Sequence, residues 1–465
     1  NFPDNKRTFF KNIKKLPPAH AMVVSQENIR TWAFWEAKNS PQICFANPNE
    51  YVEKLTDLFA SSVACRVRSA YPVGAHISGG LDSSAIAVIA ARILQDKGRN
   101  LTGSFCWSPQ PTSKEQYLDD DERLLVKSIG KKENFPVYFS NISLQEKARF
   151  ALSRHVTPTM QFIHEFDMRR QAKMQGIRTM LSGWGGDELI AFNGRGFFQE
   201  MLRRGRWRIC CRELKARAEL YESSLLGLIV NKLIFPWIPE EVIAALRPHS
   251  GSARRIARRK GFSLPTVLQN DLRVRLEKAE QLTRLTLNGR MKVRPYQLGL
   301  IKKGHLTYRI ENWAAMGAMH GIQYAYPMLD RRIIEFALGL PPEMFMQNGW
   351  GRWLFRKSLQ GILPNSVRWR KNKKDPALDA HREYLREGQE TQIKPLVHNV
   401  LLTWLKGSRK FHCLDPEQVR EAIAVYQPSE DGPLTEHLLM AGVLIEQIVN
   451  PALAETIQAQ VNGMA

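Results

Sequence analysis

The sequence has no apolar run long enough to cross a bilayer. Its longest, Ala85-Ile-Ala-Val-Ile-Ala-Ala91, falls far short of the roughly 20 residues a spanning helix needs. The stretch after Asn1 is polar and Lys-rich, with no apolar core of the kind a secretion signal carries. The six cysteines, Cys44, Cys65, Cys106, Cys210, Cys211 and Cys413, include no Cys-x-x-Cys pair. That argues against a zinc site or a disulfide framework and fits a reducing cytoplasm. Internal repeats and low-complexity tracts are also missing. Acidic residues are under-represented: 45 Asp and Glu face 67 Lys and Arg, a net charge of +22. Such an excess admits nucleic acid, an anionic surface or an acidic substrate as partner. With 465 residues, 43% apolar and 24% charged, the composition is globular and the core ample.

The centre of the sequence is Ser78-Gly79-Gly80-Leu81-Asp82-Ser83-Ser84. A β-type run, Val73 to Ile77, precedes it and the apolar helix after Ser84 follows. The glycines permit a tight turn with bare N–H groups, and Ser83 and Ser84 stand where a helix takes its caps. Strand, Gly-rich turn and helix N-terminus make an anion site. No Gly-Lys-Ser/Thr follows, so this is not a Walker loop. Asp82 would repel a phosphate unless a divalent cation lay between them, a place suited to Mg²⁺.

Along the chain, residues 1–45 read as short β pieces, too few for a core. Leu55, Leu58, Phe59, Val63 and Val67 mark an amphipathic helix. Strands are expected at Val73–Ile77, Leu101–Trp107, Pro136–Phe139 and Ile177–Leu181. Helices fall between them, at Leu144–Leu152 and Phe162–Met174 among others. Asp119-Asp-Asp-Glu122 reads as a helix start rather than a metal site. Alternating strands and helices predict an α/β fold with a doubly wound, mostly parallel sheet. The last strand runs into Ser182-Gly183-Trp184-Gly185-Gly186-Asp187-Glu188. In such sheets ligands bind beyond the carboxyl ends of the strands, so Asp82 and Asp187 are expected to hold Mg²⁺ from two sides. Beyond Arg195 the pattern turns helical. There Leu225–Ile238 is expected to be a buried helix pair rather than a membrane-surface helix. The basic runs at Met201–Ile209 and Ala253–Lys260 read as solvated faces.

The run at 78–84 resembles the pyrophosphate loop of ATP pyrophosphatases. Taken in order with Ser104-Phe-Cys-Trp107, the 182–188 loop, Pro327-Met-Leu-Asp330, Arg352-x-x-x-Arg356 and Leu363-Pro…Arg370-x-x-Lys373, it resembles the synthetase domain of asparagine synthetases. β-Lactam synthetases and lasso-peptide macrolactam synthetases are relatives of the same kind. The likeness covers about residues 46–375. Thr8-Phe-Phe…Leu16-Pro-Pro-Ala-His…Phe34-Trp35 looks like the end of that family's amidotransferase-type domain. The implied organisation is a domain remnant at 1–45 and a ligase domain at 46–465, with an α/β core at 46–195 and a helical part at 196–465.

By resemblance the cofactors are ATP and Mg²⁺. Ser78, Gly79, Gly80, Leu81, Asp82, Ser83 and Ser84 would hold pyrophosphate and metal. Ile77, Trp107, Ser182 and Gly183 would surround the adenosine, Asp187 would be the second metal ligand, and Lys373 would stabilise the transition state. Lys371 and Lys374 compete for that last place.

Asparagine synthetases resemble Ser-Gly-Glu-Gly-Ser-Asp-Glu at the second loop, where this chain has Trp184, which cannot act as a base. They also carry Glu-x-Arg-x-Pro where this chain reads Gln323-Tyr-Ala-Tyr-Pro. Uncharged aromatic walls suit a larger acceptor, and the implied reading is a lasso-peptide macrolactam synthetase. It would join an Asp or Glu side chain of a precursor peptide to that peptide's α-amine, working beside a leader peptidase and a leader-binding protein. Synthesis of asparagine is the alternative. A tRNA-modifying pyrophosphatase is disfavoured by the Asp187 loop and the motifs at 311–375, so nucleic acid is not the expected partner. His155, His164 and His320 lack ligand spacing and read as packing residues.

Overall fold

The computed structural model describes residues 6, 8, 12–111, 121–151, 163–238, 242, 268–271, 274, 290–371, 375–407, 411–424, 443, 446–447 and 450–463. After a hairpin, β1 (His20–Val24) and β2 (Ile29–Ala33), the chain alternates helix and strand: α1 (Pro48–Arg66), β3 (Val73–His76), α2 (Leu81–Gln95), β4 (Gly103–Pro109), α3 (Glu122–Lys132), β5 (Val137–Ser140), α4 (Leu144–Ala151), α5 (Ile163–Met174) and β6 (Thr179–Leu181). α1 begins on a capping box, with Asn47 accepting from Asn49 N–H and Glu50 reaching back to Asn47 N–H.

The sheet has five parallel strands in the order β5-β4-β3-β6-β7, with β7 at Gln323–Ala325. Strand order reverses at the β3–β6 pair, which puts the ligand crevice beyond those two carboxyl ends. The edge strand β7 was not expected. With three residues and only one of them buried, it carries too little alternation to read from sequence.

Period-two alternation divides the sheet's contacts between two cores. Val73, Ala75, Ile77, Cys106 and Leu181 pack with α1, α2 and α3. Phe105, Met180 and Tyr324 pack with Met168 and Ala172 of α5 and with Trp313 of the helix His305–Ala318. Every residue of α2 from Ser84 to Ala91 is buried, which explains its uniformly apolar face. A third cluster, built on Leu385, Val397, Leu401 and Trp404, fills the helical C-terminal part.

Leu225–Ile238 departs from the expected buried pair. It is one irregular element: a short α-helix, a π turn at Val230–Ile234 and a 3-10 turn at Phe235–Trp237. Leu228, Ile229 and Leu233 pack on the core, while Leu226 and Trp237 are exposed. Pro236 has no N–H to donate, and Asn231 and Lys232 break the apolar face before a second helix can form. Of the histidines thought to be packing residues, His164 is buried against Ser140 Oγ (3.0 Å) and beside His381. His155 lies outside the described residues.

Burial pushes the His164 imidazole down to about 3, so the folded protein holds it neutral. The unfolded chain takes up a proton near pH 6.5, whereas the folded chain resists it. This stability is complete above about pH 6.5 and is lost as pH falls toward the folded value. At pH 5 the loss from this one group is about 2 kcal/mol. Urea midpoints should therefore fall between pH 7 and 5, and His164→Gln should flatten that part of the profile. A slope unchanged by the substitution would count against this assignment.

Candidate functional site

The site is built where β3 and β6 end. Gly80 caps α2 without a side-chain bond, and the helix starts at Leu81, earlier than the serines suggested. Ser83 and Ser84 therefore lie in the first turn and tie the loop back on itself. The Ser83 and Ser78 hydroxyls are 2.8 Å apart, and Ser84 Oγ donates to the Ser78 carbonyl. Nor are the glycine amides bare. Gly80 N–H donates to Ser78 Oγ (3.1 Å) and Gly79 N–H to Glu122 Oε2 (3.0 Å). The first turn of α2, with N–H groups that have no acceptor within the helix, also faces the mouth. Glu122 starts α3, as expected, and also places its carboxylate against the loop and accepts from Arg370 Nη1 at 3.1 Å. Its carboxylate fixes the turn at Gly79. Its neighbour Asp121 is the true cap of α3.

The second loop leaves β6 at Ser182, which is buried with its N–H on the Ala325 carbonyl (2.9 Å). It passes close under the first. A Cβ on Gly183 would lie 3.1 Å from Asp82 Cβ and from Ser83 N, and one on Gly186 would enter the Asp82 carboxylate. Glycine at these two places is what lets Asp82 and Asp187 approach a common point. That point is held by Arg352, whose Nη2 lies 2.6 Å from Asp187 Oδ1 and whose Nη1 lies 3.9 Å from Asp82 Oδ2. Arg352 takes a left-handed φ of 60° to cap the helix Trp353–Ser358. Strained backbone of this kind is tolerated where function or packing fixes it.

Two carboxylates converging on one cation offer the hard oxygen donors that Mg²⁺ shares with substrate phosphates. Among the described residues no group of three or more His, Cys, Asp and Glu could hold a metal. The pair therefore fits a cation completed by phosphate oxygens rather than a closed protein cage.

A cavity of about 390 Å³ opens beside this point, bounded by Ile77, Ser78, Asp82, Trp107, Gly183, Trp184 and Asp187. Its floor is an aromatic box, of which the sequence pointed to Trp107 and Trp184 but not to Trp313 or His76. Trp184 meets Trp313 edge-on at 5.4 Å, and Trp107 and His76 lie 6.2 and 5.3 Å from the same ring. Beneath them Glu165 is fully buried, with His76 Nε2 at 3.0 Å and Trp107 Nε1–H donating at 2.8 Å. Burial opposes its ionisation, but the charge and hydrogen bond of His76 outweigh this with help from Arg169, holding the carboxyl below its usual range. Arg309 stacks on Trp184 at 4.5 Å. The Cys106 thiol also faces this cavity, yet burial pushes it up to about 12, so it is no nucleophile.

Thus Ile77, Ser78, Gly80, Asp82, Ser83, Trp107, Ser182, Gly183, Trp184 and Asp187 all line one cavity. Gly79 and Leu81 line the adjoining chamber, and Ser84 is buried behind the loop. Lys373 and Lys374 lie outside the described residues. Lys371 is described, 3.8 Å from Glu222. Pro327–Asp330 is a brace: Asp330 caps the following helix at Arg332 N–H (3.0 Å) and accepts from Arg66 (2.9 Å).

The family model for asparagine synthase matches residues 54–441. Asparagine synthetase [glutamine-hydrolyzing] 3 of Bacillus subtilis (strain 168) is 23% identical over 418 residues, 88% of this chain and 61% of its own length. The probable asparagine synthetase [glutamine-hydrolyzing] of Dictyostelium discoideum is 25% identical over 191 residues, 39% of this chain and 34% of its own. The asparagine synthetase [glutamine-hydrolyzing] of Zea mays is 26% identical over 233 residues, covering 48% and 37%. The chain thus spans at most 61% of the length of these relatives. With a match over most of its residues, and two Gly-rich loops meeting at the switch point of a parallel sheet, the chain belongs to the asparagine synthase family.

Proposed function

We propose that this protein is an ATP-dependent amide ligase that forms AMP and pyrophosphate, and that its acceptor is a peptide closed into a macrolactam. The observation that carries the ligase reading is the convergence of Asp82 and Asp187 on one cation position. Those two carboxylates would hold Mg²⁺, which draws charge off the phosphates when bound. The first turn of α2 presents amides to the phosphates. Ile77, Trp107, Ser182 and Gly183 bound the space for the nucleoside.

A carboxylate oxygen of the substrate attacks the α-phosphorus, and the bond to the bridging oxygen breaks with its electron pair leaving on pyrophosphate. An amine then attacks the acyl carbon. The carbon–nitrogen bond forms, AMP leaves, and the ammonium gives up its proton. Lys373 would stabilise the charge that builds in the first step. Enclosing carboxylate and amine in one cavity makes the second step effectively intramolecular.

The peptide reading rests on Trp184. Its ring packs against Trp313 in the cavity wall where relatives resemble a glutamate, and Phe105 and Trp107 line the same cavity together with the charged Asp375, Asp379 and Arg382. An Asp or Glu side chain and the α-amine of the same peptide would close the ring, with a leader peptidase and leader-binding protein as expected partners. Trp184→Ala should raise the KM for the peptide about tenfold, the loss of roughly 1.4 kcal/mol of contact, while ATP affinity stays within threefold. An unchanged peptide KM would move the acceptor elsewhere.

A second reading, synthesis of asparagine, is favoured by the names its relatives carry. Pyrophosphate release separates the two. Release with aspartate plus ammonium supports asparagine synthesis. Release only with a peptide that offers both a free α-amine and an acidic side chain supports ring closure. Residues 1–45 are proposed to belong to an amidotransferase-like β-rich unit, whose hairpin leaves Val23, Val24, Ile29 and Phe34 exposed. Among the described residues no helix is long and apolar enough to cross a membrane. None of the six cysteines is disulfide-bonded, which agrees with the proposed cytoplasmic location.

A further inference from the structure

His76 ends β3, and its ring lines the aromatic cavity beside Trp107 and Trp313. Its Nε2 lies 3.1 and 3.0 Å from the two oxygens of Glu165, a fully buried residue of α5. That carboxyl is held below its usual range, so it is ionised and can only accept. The proton between the two side chains therefore belongs to Nε2, and Nδ1 is the ring nitrogen left to offer a lone pair. Among the described residues nothing hydrogen-bonds Nδ1, and it is not fully enclosed.

Glu165 has other support. Trp107 Nε1–H donates to it at 2.8 Å, and so does the Tyr324 hydroxyl, which in turn accepts from Arg169 Nε at 2.9 Å. Arg169 thus balances the buried carboxylate, and the ring is not bound to hold a second proton permanently. When the ring does take one, Glu165 stabilises the imidazolium, the arrangement of a base held by an orienting carboxylate.

The other carboxylates lining the cavity have work of their own. Asp82 and Asp187 converge on the cation position. Glu122 fixes Gly79 and meets Arg370, while Asp375 accepts from Ser108 Oγ and caps Leu378 N–H. Asp379 pairs with Arg382 at 3.3 Å, with 68% of its side chain exposed. Trp184, which cannot act as a base, packs on Trp313, the ring that His76 meets at 5.3 Å. The imidazole therefore stands beside the place where the second loop offers no base.

We infer that His76 is the general base of amide formation, taking at Nδ1 the proton that the acceptor amine must lose, with Glu165 as the residue that positions its ring. The inference rests on the proposed ligase reading. The amine lone pair attacks the acyl carbon of the adenylate, and the new carbon–nitrogen bond leaves one proton too many on nitrogen. Nδ1 accepts that proton. The acyl carbon–oxygen bond breaks with its electron pair on AMP, and the imidazolium then gives the proton to water.

Two experiments on the whole chain test this. In the first, diethyl pyrocarbonate, which acylates unprotonated imidazole nitrogen, is added at about pH 8, near where an α-amine loses its proton. Mass spectrometry of the resulting peptides should show His76 reacting well ahead of the buried His164, and slowed by α,β-methylene-ATP with Mg²⁺. His76 that reacts no faster than His164 overturns the inference, and this arm needs no variant to fold. The second follows ATP turnover with a pool of synthetic peptides, each carrying a free α-amine and one acidic side chain. His76→Gln should form amide about a hundredfold more slowly, and Glu165→Gln about tenfold, with the pyrophosphate burst of both within about threefold of the unaltered chain. Amide formed by His76→Gln at the unaltered rate, or a burst lost together with the amide, overturns the role of base and leaves the ligase reading standing. An unaltered chain that gives no burst brings down the ligase reading, and the base with it.

Discussion

Asp82→Asn lowers pyrophosphate release about a thousandfold or more, the equivalent of roughly 4 kcal/mol in the barrier. Asn keeps the shape and one oxygen but loses the charge that balances a divalent cation between loop and phosphate. Asp187→Asn should cost less, about a hundredfold. The reason is exposure: the Asp82 side chain is 14% accessible and that of Asp187 is 62%, so water can partly replace the second ligand but not the first. The two variants differ in another respect. In the free protein Arg352 sits 2.6 Å from Asp187, so Asp187→Asn releases that guanidinium, whereas Asp82 is 3.9 Å away. Stability should change little in either variant. Asp82 lies in the first turn of α2, where losing a favourable dipole interaction costs about 0.3–1 kcal/mol. Melting curves beside initial rates in Mg²⁺ check both statements. A rate loss matched by a large fall in melting temperature would make Asp82 structural.

The second large effect is expected at Lys373. Lys373→Ala should lower kcat about 10²- to 10³-fold, close to 3–4 kcal/mol, with ATP affinity within threefold. A preorganised cation stabilises charge only as it builds. Of the described residues near Lys373 in sequence, Arg370 and Lys371 line the chamber that Gly79 and Leu81 also line, Arg370 contacting Glu122 at 3.1 Å, and Asp375 lines the aromatic cavity and accepts from Ser108 Oγ at 2.5 Å. Single turnovers of Lys371→Ala, Lys373→Ala and Lys374→Ala assign the role. A kcat loss at 371 or 374 with none at 373 would transfer it.

How legible each part was follows from the range of the signal. β3, β4, β6 and both Gly-rich loops were readable because strand, glycine and helix stand next to one another in sequence. Their meeting at one crevice followed from the topology of parallel sheets alone. Glu122, His76, Glu165 and Trp313 were not readable as one site. Glu122 reaches Gly79 across 43 residues, and Trp107 finds Glu165 across 58. No local pattern marks such pairs. Ser83 and Ser84 misled in a smaller way. They look like caps, yet Gly80 takes that position and the hydroxyls turn back on the loop, because an Asp or Ser in a first turn is as common chemically as one before it. Glycine amides expected to be free proved to be engaged, one by a carboxylate from another helix. Only the fold could show that this loop is held in shape by an anion of its own. The adjoining chamber was legible only in part: Arg352, Arg356 and Arg370 stand in motifs that the sequence singles out, whereas Arg195, Arg217 and Lys232 are single residues in unrelated segments, diluted in a sequence rich in both.

The most direct test is a crystal structure of the whole chain with Mg²⁺ and α,β-methylene-ATP. The account predicts a magnesium ion bridging Asp82 and Asp187 to the triphosphate, the Arg352 guanidinium displaced from between the carboxylates, and the adenosine against Ile77 and Trp107. A nucleotide bound elsewhere, or bound here with its metal touching neither aspartate, would contradict it.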